Sequence, residues 1–136
     1  MPQGLIIRDG TEPGGRGVLN FDLRDVLFAL GGRASDVRWQ CVHLKYTSRD
    51  EQDIPILEQV AKPGQSVSGA ELAAGIGQLM QVIDGDFEGL EQNGLRWVLI
   101  RAVDSSWWEV WTDDALVMKG IRSRFKVVED IAERAG

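Results

Sequence analysis

Carboxylates are the most plentiful reactive side chains in this sequence: 21 of its 136 residues are Asp or Glu, and several fall at short spacings. In the stretch DGDFEG, Asp84, Asp86, Glu88 and Gly89 follow the first half of a calcium loop, whose alternating oxygens wrap one hard cation. The twelfth position of such a loop supplies a bidentate Glu, and here it is Leu95. Strand-like residues follow where a helix would begin. The expectation is therefore a turn at Asp84-Gly85 with solvated carboxylates, and no metal. A second chemistry needs only two carboxylates in a cleft, one as acid and one as base. Asp84, Asp86, Glu88, Asp104, Glu109, Asp113 and Asp114 all fall at strand ends or on one run of expected strands, so a pair of them could serve a hydrolase if they converge.

Sulfur and imidazole offer less. Cys41 is the single cysteine and His43 the single histidine. Two apart on an expected strand, they share a face at about 7 Å, too far for a nucleophile–base hydrogen bond. Two ligands make no structural zinc site, and no G-x-S-x-G nucleophile elbow is present. The glycine-rich PGGRG, Pro13–Gly17, lacks the terminal Gly-Lys-[Ser/Thr] of a phosphate-binding loop and is expected to be a turn.

Three of the five tryptophans crowd into SSWWEVWTDD, Ser105 to Asp114. Side chains alternate along a strand, so Trp107, Glu109 and Trp111 share one face while Trp108 and Val110 share the other. Before them, Trp97, Leu99, Arg101 and Val103 alternate with Val98, Ile100 and Ala102. Both faces of this hairpin are thus apolar. A two-residue turn at Asp104-Ser105 would set Trp107 beside Ala102, and a three-residue turn would exchange the faces. Either helices cover one face and loops the other, or one face stays partly bare for a partner. Three helical stripes need a surface to bury on, which favours full coverage. Glu109 argues that the Trp107 and Trp111 face lies nearer water, because a Glu is rarely buried without a partner.

The elements that must hold these residues follow from periodicity. Gly4–Asp9 reads as a strand, and Gly10–Gly17 as a turn or loop. Leu23, Val26, Leu27 and Leu30 make a helical stripe capped by Asn20 or Asp22 and stopped by Gly31-Gly32. Val37–Tyr46 is a strand. Residues 47–67 are the expected long loop, with a short turn of helix or an edge strand in IPILEQV. Ser68-Gly69-Ala70-Glu71 is a capping box, followed by Leu72, Ile76, Leu79, Met80 and Ile83 on one stripe, with Gly75 and Gly77 inside it. Asp86–Glu91, Leu95–Val103 and Trp107–Thr112 are strands, the first two joined at Asn93-Gly94. A last helix capped by Thr112 or Asp113 carries Val117, Met118, Ile121 and Phe125. Val127-Val128 is either a final strand or more helix. The expected fold is a single α+β domain over residues 1–136. Its mainly antiparallel sheet, in the order β-α-β-α-β-β-β-α with a final strand left open, has helices packed on it.

The totals narrow the function. A chain of this length, 43% hydrophobic and 26% charged, can bury one core without staples. One cysteine suits a reducing cytoplasm. No leader-like start and no long apolar run is seen, so neither secretion nor a membrane span is expected. The net charge is −6. Residues 47–95 hold 9 acidic and 2 basic side chains, against a near balance on either side. Such a field repels nucleic acid and anionic lipid and suits a basic partner. This small, acidic, motif-free profile is similar in general look to bacterial toxin-neutralising immunity proteins and other small adaptors, a likeness that no motif carries. The expectation is a cytoplasmic, non-catalytic protein-binding or adaptor module of inhibitor or immunity type, without cofactor, whose partner is a protein or a second copy of itself. Its candidate binding residues are Trp107, Glu109, Trp111, Asp84, Asp86 and Glu88. The alternative is a small carboxylate-based enzyme or ligand-binding protein. Converging carboxylates in a deep cleft would favour that alternative, and a flat acidic or aromatic face would favour binding.

Overall fold

The computed structural model describes residues 3–12 and 16–131. Its frame is a seven-stranded sheet in which every neighbouring pair is antiparallel. The strands are β1 (Gln3–Ile7), β4 (Arg38–Ser48), β5 (Val67–Ser68), β6 (Leu79–Leu90), β7 (Arg96–Val103), β8 (Trp107–Thr112) and β9 (Val128–Ile131), in the order β5-β4-β6-β7-β8-β1-β9. Consecutive strands β6, β7 and β8 form the meander expected from the Asn93-Gly94 and Asp104–Ser106 turns, and Gly94 takes the positive φ of 83° that this hairpin needs. The final strand exists: β9 pairs with β1 at one sheet edge. A separate ladder of β2 (Gly10–Glu12) with β3 (Arg16–Leu19) flanks the glycine-rich stretch expected as turn or loop, and Pro13 to Gly15 lie outside the described residues.

Five helices, α1 (Leu23–Ala29), α2 (Arg33–Asp36), α3 (Pro55–Val60), α4 (Gly69–Gly75) and α5 (Ala115–Arg124), pack on this sheet. Local chemistry starts them. Asp22 and Asp25 form a reciprocal capping box on α1, Ser68 and Glu71 do the same on α4, and Asp114 caps α5. Leu23, Val26, Leu57, Leu72, Ile76, Val117 and Ile121 then meet Leu5, Ile7, Trp39, Phe87, Ile100, Trp108 and Val110 of the sheet in one buried core.

Several expectations need correction. The helix begun at Ser68 stops at Gly75. Leu72 and Ile76 are buried, but Leu79 opens β6, Met80 is 62% exposed, and Ile83 lies in the strand. The two glycines inside the stripe each cost a helix about 1 kcal/mol, and pairing Leu79–Val82 with Tyr46–Ser48 satisfies the same backbone in a sheet. Residues 47–67 are not one long loop: they contain the end of β4, a 3₁₀ turn over Arg49–Glu51, α3 and the start of β5. Pro55 suits the first turn of α3, where its missing N–H costs nothing, and Leu57 and Val60 anchor that helix in the core. Cys41 and His43 do not share a face. Val42 pairs with Asp86 and Lys45 with Asp84, so His43 and Leu44 together oppose Gly85, and His43 takes a φ of 58° in this bulge. Cys41 is buried against the core, which together with the nearby Asp86 charge pushes its thiol up to about 12, and His43 is exposed.

Candidate functional site

The core occupies one face of the sheet. Along β8, Trp108 and Val110 point into it, at 1% and 0% exposure, while Trp107, Glu109 and Trp111 stand half-buried on the opposite face. The turn decides this arrangement. Val103 pairs with Trp107, so three residues lie between the strands. Ser106 N–H donates to the Val103 carbonyl at 2.8 Å, and Asp104 and Ser105 both take positive φ, at 48° and 58°. Two positive-φ central residues are what a type I′ turn requires, and Asp tolerates that region better than most side chains. The register then sets Leu99 beside Trp111, Arg101 beside Glu109, and Ala102 beside Trp108.

Rows of side chains therefore cross the uncovered face. One row runs Val42, Asp86, Arg101, Glu109, Ile6 and Glu129, and the next runs Gln40, Glu88, Leu99, Trp111, Gly4 and Ile131. Glu109 is the hub. Its two carboxylate oxygens accept from the indole N–H of Trp107 at 3.0 Å and of Trp111 at 2.9 Å, and Arg101 Nη1 stands 3.6 Å away. The Glu109 side chain is only 14% exposed. A carboxylate at that depth is tolerable because both its oxygens accept hydrogen bonds and a cation adjoins it. Arg101 also donates from Nε to Asp86 at 3.1 Å, so it bridges the two acids. Glu88 accepts from Gln40 at 3.3 Å and pairs with Arg96 at 3.5 Å. Arg8 lies 5.0 Å from the Trp107 ring centroid and pairs with Glu129. Gly4 makes room for Trp111: a Cβ there would come within 2.8 Å of the ring.

All six residues singled out in the sequence lie on one face of the sheet, in two parts. Trp107, Glu109 and Trp111 form one cluster, and Asp86 joins it through Arg101. Glu88 sits one row over with its own partners, and Asp84 stands nearer the turn, accepting from the Asp104 N–H at 2.8 Å. The acids stand at alternate positions of one strand, each differently engaged, and do not wrap a common point. Sequence reasoning missed Arg101, Arg8 and Gly4 as parts of the cluster. Of the two turn lengths open to Asp104–Ser106, only the three-residue one places Arg101 beside Glu109. Nothing local announces Arg8 and Gly4, which arrive from the far end of the chain.

Trp97 leaves this face. Gly89 pairs with Val98 and Leu90 with Arg96, so Trp97 is the extra residue of a bulge and turns inward beside Val98. Its indole N–H donates to Asp114 at 2.9 Å, and Arg33 stacks on its ring while pairing with Asp114 and Glu91. The Trp97 hydrogen bond, with the helix N-terminal amides and Arg33, holds the Asp114 carboxyl below its ordinary range. Asp22 is the half-buried acid of the covered side. Burial pushes it up to about 6 even though Leu23 and Val82 N–H groups donate to it.

Two of the hollows away from this face carry apolar side chains. One, of about 430 Å³, opens between α1, α2 and α4 beside Phe28, which is 72% exposed. The other, of about 750 Å³, lies over Tyr46 and Met80 with Asp50, Glu51 and Asp53 exposed at its rim. Comparisons with protein-family models, with curated proteins and with solved structures find no match. Among the described residues no helix is long and apolar enough to cross a membrane.

Proposed function

We propose that this protein is a non-catalytic protein-binding module that docks its partner on the uncovered sheet face. Trp107, Glu109 and Trp111 are the centre of contact, and Asp86, Glu88 and Asp84 are its flank. One observation carries the reading: two half-exposed tryptophans are held in place by one shared carboxylate on a face without core. Pre-ordered aromatic side chains with their polar atoms already satisfied bind at low entropic cost, and tryptophan is enriched at the centres of protein interfaces. The reading as a carboxylate enzyme has weaker support. Asp86 and Glu109 are bridged by Arg101 on an open face and do not face each other across a cleft. The net charge of −6 disfavours nucleic acid and anionic lipid as partners, and an unpaired thiol at Cys41 suits the reducing cytoplasm. An inhibitor or immunity-type adaptor is the kind of module this describes.

The test compares the chain with its Trp107→Ala/Trp111→Ala double variant as immobilised bait in lysate of the source cell, after circular dichroism has shown both folded. Proteins retained by the natural chain and lost from the variant support the reading. Equal retention of the same proteins by both moves binding off this face.

A further inference from the structure

We infer that the partner on this face is a second copy of the chain, joined face to face about a two-fold axis that runs along the strands between β7 and β8. The inference rests on the binding role proposed for the face and goes on to name the occupant. Charge is the first argument. The molecule is strongly acidic, yet this face is close to balanced: Asp84, Asp86, Glu88, Glu109 and Glu129 stand among Arg8, Lys45, Arg96 and Arg101. The acidic excess lies elsewhere, with Asp50, Glu51, Asp53 and Glu58 around the 3₁₀ turn and α3. A strongly basic partner would find few uncommitted carboxylates here. A second copy meets a mixed pattern and keeps the two acidic regions off the interface.

Register is the second argument. Rotation about that axis keeps each residue's height along the strand and exchanges β7 with β8. Each β7 side chain therefore faces, in the other copy, the residue that is its ladder partner at home. Leu99 meets Trp111, Arg101 meets Glu109, and Val103 meets Trp107. The flanking strands exchange in the same way. Asp86 meets Ile6, Glu88 meets Gly4, and Val42, 48% exposed, meets Glu129. Continuing the ladders one residue sets Asp84 against Arg8. Every contact occurs twice, as an isologous interface demands, and no like charges face each other. The roughly 30° crossing of stacked sheets displaces these central pairs least.

Size is the third argument. Six strands face one another across this axis, with β5 left outside; about 4.8 Å apart, with same-face residues about 6.8 Å apart over three to four rows, they make a footprint of roughly 600–800 Å². Stable interfaces bury about 800 Å² of accessible surface per partner, which a footprint of this size reaches once side-chain relief is counted.

Sedimentation analysis from about 1 to about 300 µM tests this, on the natural chain, Arg101→Glu, Glu109→Arg, an equimolar mixture of those two, and Leu99→Lys. The natural chain is expected to dimerise with a micromolar Kd, and each charge reversal to weaken this by about tenfold or more. The mixture should recover a heterodimer, because each reversed side chain then faces its complement across the axis. Repair of the pair within one chain cannot produce that rescue. Leu99→Lys removes an apolar contact with Trp111 and leaves Arg101 and Glu109 in place, so it decides the matter if a reversal unfolds the protein. A natural chain that stays monomeric throughout overturns the inference and leaves the face for another partner. A dimer indifferent to Leu99→Lys and to both reversals overturns the inference by placing the contact elsewhere. The lysate comparison above judges the binding role separately.

Discussion

The two faces of the sheet treat the same residue type in opposite ways. Trp39 and Trp108 are fully buried on the helix-covered face, and the Trp39 N–H is satisfied by a single backbone carbonyl, that of Ala34 in α2. Trp107 and Trp111 on the other face donate to a side chain, and to the same one. The rings have equal apolar area to bury, so hydrophobicity alone does not sort them. Their neighbours do. Trp108 shares its face with Val110 and a Thr112 whose hydroxyl donates to the Trp97 carbonyl, whereas Trp107 and Trp111 share theirs with Glu109 and Arg101. Desolvating a carboxylate and a guanidinium beneath helices would cost more than two indoles return. Charge at the centre of the hairpin thus keeps one face free, and the helices collect on the other.

The comparison is broken most directly at β8. Trp108→Ala is expected to cost about 3–5 kcal/mol in chemical unfolding, as a core truncation. Trp107→Ala and Trp111→Ala should each cost clearly less, about 1–2 kcal/mol for half-buried rings. If either matches Trp108, both faces are core and the distinction fails.

A smaller effect sharpens the polar side of the contrast, because Asp22 is an acid that the covered face partly buries. Its folded pKa of about 6 lies above the ordinary 3.8, so the folded state binds the proton more tightly than the unfolded chain. Stability contributed by this group is present below pH 4 and falls as the pH rises to 6, by something on the order of 2–3 kcal/mol, and then stays level. Unfolding measured across that range should show the fall in the natural chain, and Asp22→Asn should lack it. Equal pH slopes in the two proteins would mean that Asp22 is as well solvated as an acid of the open face.

The smallest effect belongs to Gly4. Gly4→Ala would push Trp111 from its seat, and the ring can swing toward water, so the melting temperature should drop by only a few degrees. Trp111 should lose its hold on Glu109, seen as altered tryptophan fluorescence and weaker association. Unchanged fluorescence would show that the ring does not rest on Gly4.

Much of the local grammar was legible. The Asp22 cap, the capping box at Ser68–Glu71, the Asn93-Gly94 hairpin and the separation of Trp108 from Trp107 and Trp111 all depend on residues within one turn or one strand of each other, where side-chain spacing and backbone geometry act directly. The α+β class followed from the order of those elements. The candidate face was half legible: alternation placed Trp107, Glu109 and Trp111 together, and Asp84, Asp86 and Glu88 together, without saying that the two sets lie on one side. Only the folded structure decided that, through the three-residue turn that pairs Arg101 with Glu109. It also decided the bulge that sends Trp97 inward, the end of the Ser68 helix at Gly75, and the arrival of Gly4 and Arg8 beside β8. Each of these turns on which strand a segment finds as its neighbour. A shift of one residue in pairing moves every side chain to the other face at little local cost, so no short window of sequence holds the answer; it comes from burying the whole apolar set at once.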